Sequence, residues 1–512
     1  MVIALLALLS CAPEEPSPPQ PSPSATLTSQ EVLIRASLDL RGVRPTPEEL
    51  DGVTPNTLDA TLDGFLEDER FGRTVRDLFN YVWLTRIETY LALTDQFGQS
   101  DDPATYVSSI GDEPLYMVSM IAEEDLPWST LVTADWIAAN EVVADIYPID
   151  YAGSGWQKAT WTDGRPAVGV LASNALWWRY TSTGSNANRG RANAISRLFL
   201  CSDYLDRDVS FSRDLDLSDE AATLNATQND PGCLSCHNSL DPLASHLWGF
   251  TYLQEAASEL RMYHAERSRW WTVYTGVAPE YYGVPTGGLQ DLGPLVAADP
   301  RYEACAVETV FEGLSGRESS LSDELELQTH RDAFAGDTSL RSAYRSILRG
   351  DAYRSAERKT LRPEQVVTAV EDLTGYTFDF YGYGLFDTET YGLRTLSGGV
   401  DGVSVLKPAP LPTATMLLSH ERLAEAAAWH VVLEEPDRLF TVTQPTALDD
   451  NAAEQMVWLR ERILSQQLTS TSPEVKDDLQ LWDEIFAIDP RPEAAWAGVI
   501  SALIRDASFI RY

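Results

Sequence analysis

Thr28-Ser29-Gln30-Glu31-Val32-Leu33-Ile34 opens the folded part of the chain and decides how it is read. A Thr followed three residues later by Glu, just before an apolar run, is a capping box. The hydroxyl takes the Glu amide, the carboxylate takes the Thr amide, and a helix starts with its first donors satisfied. Thr46-Pro47-Glu48-Glu49 repeats the signal, with Pro at the first helical position, where its missing N–H costs nothing. Val366, Val370 and Leu373 recur at helical spacing, as do Ala495, Val499, Ala502 and Leu503. Long alternating segments are few. The expected fold class is mainly α: a multi-module helical protein with few short strands. Breaks are expected near residues 182–188, 227–232, 281–288 and 397–412. Residues 376–391, dense in aromatics and Gly, read as a packed loop or hairpin, with a docking surface as the other reading.

Upstream of Thr28 the chain changes character. Residues 2–9 (VIALLALL) are apolar and too short to span a bilayer, as in a signal peptide. Leu8-Leu9-Ser10-Cys11 resembles a lipobox, which makes Cys11 the expected lipidation site, although no Lys or Arg precedes the apolar run. Residues 12–24 (APEEPSPPQPSPS) form a Pro/Ser tether that cannot build a core. No other segment holds 18 consecutive apolar residues, the length of a spanning helix. The expected organisation is a signal peptide over 1–11, a linker over 12–27, a helical domain over 28–130, a functional module over 131–320 and a helical domain over 321–512. The expected location is the periplasm or cell surface, as an outer-membrane lipoprotein held to the membrane by its lipid anchor.

Apolar residues make up 44% of the 512 positions, enough for a sizeable core. The balance of 38 Lys and Arg against 77 Asp and Glu gives a net charge of −39. Such a surface repels nucleic acid and favours basic partners. Five cysteines, Cys11, Cys201, Cys233, Cys236 and Cys305, are too few for a disulfide scaffold of this length.

The sharpest chemical signal is Cys233-Leu234-Ser235-Cys236-His237. In a c-type haem, two thiols form thioethers with the two vinyl groups and the adjacent His becomes the proximal iron ligand. CxxCH spacing puts all three groups on one short helical turn. Zinc is the nearer rival, but it needs further ligands, and no second close Cys or His pair exists. A redox-active CxxC would sit in a thioredoxin-like βαβ setting, and none is legible here. Export favours haem too. One covalent haem c is therefore the expected cofactor.

The surrounding sequence adds a resemblance. Cys233 to His237, continued by Asn238-Ser239-Leu240-Asp241-Pro242-Leu243, is similar to the C-x-x-C-H-x-x-x-D-P-L-G block of the planctomycete/myxobacterial-type cytochrome family, built of linked domains of unknown function. Ser37-Leu38-Asp39-Leu40-Arg41-Gly42, Thr133-Ala134-Asp135-Trp136, Arg189-Gly190-Arg191, Leu198 to Cys201 and Ala297-Ala298-Asp299-Pro300-Arg301 resemble further blocks in the same order. The resemblance covers roughly residues 30–320 and implies a single CxxCH haem module. Ala244 stands where the family has Gly, a poly-Pro run after Cys201 is missing, and Ser245-His246-Leu247-Trp248-Gly249-Phe250 replaces the family's stretch.

The sixth iron ligand decides the chemistry, since Met or His closes the iron and an empty position opens it to small molecules. Met262 and His264, some tens of residues downstream, are the candidates, with distant ligands or an open site as the alternative. Two residues apart, they cannot both face the iron from a helix. Cys201 and Cys305 flank the haem block and are expected to pair in an oxidising compartment, two buried free thiols being the other reading. The acidic run over 203–220 lacks calcium-loop spacing and reads as a solvated loop. No GxSxG, P-loop or HExxH is present. The favoured function is an exported electron carrier with a redox-partner protein. The alternatives are a haem oxidoreductase with an open distal site and a subunit of a cell-surface assembly or oligomer.

Overall fold

Thr28 and Glu31 exchange hydrogen bonds as the capping box requires, with Thr28 N donating to Glu31 Oε2 at 2.8 Å. They start the helix Ser29–Arg41. Thr46 and Glu49 do the same for Pro47–Gly52, and Glu49 also takes both Nη atoms of buried Arg41, at 2.8 and 2.9 Å. This computed structural model describes residues 25–90, 94–183, 185–208, 218–254, 256–380, 383–390, 392–446 and 448–512. Cys11, the signal segment and the tether lie outside them, as does part of the acidic run. Among the described residues 57% are helical and 5% are in strands, a mainly α fold.

Among the described residues strand pairing is limited to small antiparallel sheets and isolated bridges. β1 (Ile137–Ala139), β3 (Gln157–Trp161) and β2 (Ile149–Asp150) lie in the order β1-β3-β2, with Ile137 opposite Ala159 and Ile149 opposite Trp161. β4 (Glu280–Tyr281) pairs with β5 (Val284–Pro285), and β6 (Asp379–Phe380) with β7 (Tyr383–Gly384). The last pair makes the aromatic stretch a short hairpin. Its Phe378 and Phe386 are buried edge to face, with ring centroids 5.3 Å apart.

Among the described residues the two largest apolar cores take up most of the helices. One runs from Val32 to Tyr353, so residue 130 falls inside it and the stretches on either side of that point share a core. The other spans Leu361 to Ile510 and includes Val366, Val370, Leu373, Ala495, Val499 and Leu503, whereas Ala502 is exposed at the edge of its helix. The opening helix serves both, giving Val32, Leu33, Ala36 and Leu40 to the first and Leu38 to the second. Each fully buried Leu of this kind contributes about 1.5–3 kcal/mol.

Asp39 on the same helix is the polar counterpart of this arrangement. Its carboxylate accepts from Tyr353 Oη at 2.8 Å, from Tyr512 Oη at 2.6 Å and from Lys359 Nζ. Burial pulls the Lys359 ammonium down to about 8, and Asp39 is the charge that opposes the pull. Asp39→Ala leaves that ammonium buried without a counter-charge. The expected loss is about 3–5 kcal/mol of unfolding free energy by urea titration; an unchanged midpoint would contradict this account.

His420 gives the second core a pH dependence. It is buried against Phe386, its two ring nitrogens have no hydrogen-bond partner among the described residues, and burial pulls its pKa from 6.5 to about 4. Below pH 6.5 the unfolded chain takes up a proton that the folded chain refuses until about pH 4, so stability falls across that window. The share due to His420 is about 3 kcal/mol at the acid end. His420→Leu should flatten the stability profile between those pH values, as read by thermal melts. A profile as steep as the parent's would count against it.

Candidate functional site

The helix Pro231–Ala244 carries the motif. Asp230 caps it, with its Oδ1 accepting from Gly232 N at 2.8 Å and Cys233 N at 3.3 Å, and Pro231 occupies the first turn. Cys233, Cys236, Leu240 and Ala244 form one buried stripe along it, the spacing a 3.6-residue period demands. Both thiols are free, and each residue is only 9% exposed. Burial, then Asp230 and the neighbouring Cys236, push the Cys233 thiol above its ordinary value. A redox-active CxxC needs the opposite shift.

His237 follows directly and reaches Asp241 one turn on, Nδ1 to Oδ1 at 2.8 Å. A carboxylate only accepts, so Nδ1 carries the proton and donates it into this bond. That fixes the tautomer and leaves the Nε2 lone pair for a ligand; among the described residues no partner takes Nε2. Arg189, at the start of the helix Arg189–Leu200, completes the arrangement. Its Nε and Nη2 donate to the two Asp241 oxygens at 2.7 and 2.8 Å. Burial raises the Asp241 carboxyl, and the hydrogen bonds from Arg189 and His237 more than reverse it, leaving it below its ordinary value. A carboxylate behind the distal nitrogen of a histidine is the usual support for a metal-ligating imidazole.

This donor set fits a covalent haem. Two unpaired thiols three residues apart suit two vinyl groups, and an oriented imidazole with a bare Nε2 suits the iron. It does not fit zinc: among the described residues no three His, Cys, Asp or Glu side chains converge to hold an ion.

Met262 and His264 lie on a segment lashed to the body. Arg261 O accepts from Asn174 Nδ2 at 2.8 Å and from Arg165 Nη2 at 3.2 Å, and Tyr263 N donates to Asp163 Oδ2 at 2.9 Å. His264 N donates to Gly249 O at 2.8 Å, in the 3-10 turn Ser245–Phe250 that continues the motif helix. His264 Nε2 donates to Glu259 O at 3.0 Å, and its Nδ1 lies 3.3 Å from the Glu266 carboxylate. Met262 is half-buried. No hydrogen bond or ion pair joins either side chain to His237. His246 bonds Leu243 O at 3.0 Å and Thr286 Oγ1 at 2.7 Å, a structural role.

Cys201 and Cys305 are joined as a disulfide across 104 residues. The bond ties the end of the Arg189–Leu200 helix to the helix Pro300–Ser315 and closes a loop that contains the whole motif. The Arg189–Asp241–His237 relay was not assigned from sequence. Its local half was legible, since His237 and Asp241 are four apart on one helix; Arg189 lies 52 residues from Asp241.

Comparison with protein-family models, with curated proteins and with solved structures returns no match.

Replacing both Cys201 and Cys305 by Ser removes a cross-link over a long loop. Urea unfolding is expected to show a loss of about 2–5 kcal/mol; no loss would contradict the pairing.

Proposed function

We propose that this protein is an exported c-type cytochrome of the planctomycete/myxobacterial type, with one haem attached through Cys233 and Cys236 and ligated by His237. The reading rests on one observation above the others: free thiols and an oriented imidazole lie on one helical face, with the imidazole held by Asp241 and Arg189. The haem, when bound, supplies reversible one-electron exchange. The chain's own residues do the rest. Asp241 holds the Nδ1 proton and keeps the ring from rotating. Burial of the stripe keeps water from the attachment face. The net charge of −39 attracts a basic redox partner. Lipidation of Cys11 would hold the protein at the periplasmic or outer surface through its tether.

A second reading, a haem oxidoreductase with an open distal face, has one observation in its favour. His264 Nε2 already donates to Glu259 O, so ligation through that nitrogen requires breaking that bond. Met262 carries no such encumbrance, and on the electron-carrier reading it is the candidate distal ligand.

The test is an optical spectrum, oxidised and reduced, of protein exported with cytochrome c maturation functions. One haem per chain is expected, low-spin for the carrier; a high-spin spectrum that shifts with cyanide would select the open site instead. Asp241→Asn keeps the shape but weakens the acceptor for His237. At a fixed ambient potential the oxidised-to-reduced ratio should fall about tenfold. An unchanged ratio would remove Asp241 from this role.

A further inference from the structure

Residues 396–418 gather exposed apolar side chains. Leu396, Val403, Leu406, Leu411, Leu417 and Leu418 are between 45% and 69% exposed. The loop is folded onto the first turn of the helix Ala414–Leu433. Ala409 N donates to Gly398 O at 3.0 Å, and a side chain at Gly398 would meet Ala409 Cβ at 3.5 Å and Met416 Sδ at 3.3 Å. Its root is fixed as well. Val400 is buried with Tyr81 and Leu84, and Gly402 O accepts from Arg179 Nη2. Apolar surface of this extent on a rooted loop marks a contact face.

Three features say what it contacts. The first is the backbone. Asp401 Oδ1 accepts from Val403 N, Ser404 N and Val405 N, each at 2.8 Å. Pro408, Pro410 and Pro412 have no N–H to leave unpaired. With Ala409, seven of the ten residues 403–412 leave no amide donor unsatisfied, the condition for entering lipid. The second is charge. Residues 395–419 hold one Asp and one Lys in a chain carrying −39, and Lys407 pairs with Glu318. A surface built for a basic protein would gather acid here. The third is where the tether arrives. Ala356 N donates to O of Ala25, the first described residue, at 2.7 Å, and four positions on Thr360 Oγ1 donates to Pro410 O at 3.1 Å. Four residues span at most about 14 Å. The chain leading to Cys11 therefore leaves the body beside this loop, and residues 12–24 reach at most ~45 Å.

We propose that this face rests on a bilayer, with Val403, Leu406 and Leu411 entering the interface. The surface it suits is zwitterionic, since a chain at −39 is repelled by anionic lipid. The proposal rests on the Cys11 anchor put forward above only for proximity to the membrane. Lipid on Cys11 supplies one hold and the loop a second, so the body keeps one orientation instead of turning freely on its tether.

Flotation with vesicles of phosphatidylcholine and phosphatidylethanolamine tests it. The proteins are the exported full chain and an anchorless form whose residues 1–11 are exchanged for a cleavable signal without a lipobox Cys. Every described residue lies beyond residue 11, so the anchorless form keeps both large cores. That form is expected to float. Leu406→Ser with Leu411→Ser, and separately Leu417→Ser with Leu418→Ser, should weaken its lipid affinity about tenfold. Ile488, 87% exposed at the end of the helix Pro473–Ile488, is the control, and Ile488→Ser should leave the affinity unchanged. The proposal is overturned if the anchorless form does not float, if both double variants float as the parent does, or if Ile488→Ser costs as much as they do. It is also overturned by a dimer in sedimentation that Leu406→Ser with Leu411→Ser dissociates, which would give the face to a second copy. An N-terminal peptide of the exported chain that carries no lipid would overturn the Cys11 anchor alone and leave flotation of the anchorless form to decide the face.

Discussion

The Asp241 carboxylate is the interaction on which the rest of the site depends. It sits on the motif helix, takes the Nδ1 proton of His237 one turn away, and receives both arms of Arg189 from a second helix. One group therefore sets the tautomer of the imidazole, the direction of its free nitrogen and the docking of two helices. A bidentate Arg–carboxylate pair fixes geometry as well as energy. This pair is mostly shielded from water, with Arg189 and Asp241 side chains 20% and 10% exposed, so it is screened less than a surface pair.

The motif helix and the segments around that carboxylate are tied together by several contacts. The motif helix begins on an Asp230 cap and runs without a loop into the turn Ser245–Phe250. That turn holds the segment bearing Met262 and His264 through Gly249. The buried Asp163–Arg165 pair anchors the same segment from the other side. The disulfide closes the loop containing the motif.

What was legible in the sequence is what is local. Capping boxes act over three residues, and both are present as read. The CxxCH spacing acts over four, and it falls on a helical turn. The aromatic stretch 376–391 holds a short hairpin because Phe378 and Phe386 alternate into a core. What escaped depends on tertiary partners. Arg189 meets Asp241 across 52 positions, and Asp39 meets Tyr512 across 473. The shared core across residue 130 is of the same kind, since hydrophobic periodicity reports which face is buried and not what buries it. Nor could spacing reveal that His264 spends Nε2 on the Glu259 carbonyl.

The central claim concerns covalent chemistry at Cys233 and Cys236, and peptide mass spectrometry reads it without reference to activity. The matured, exported protein is digested, and the peptide containing residues 233–237 is weighed. The account predicts that peptide bearing the mass of one haem, with both thiols consumed and the Cys201–Cys305 disulfide on a separate peptide pair. A peptide with two unmodified thiols, or with Cys233 and Cys236 joined to each other, would contradict it.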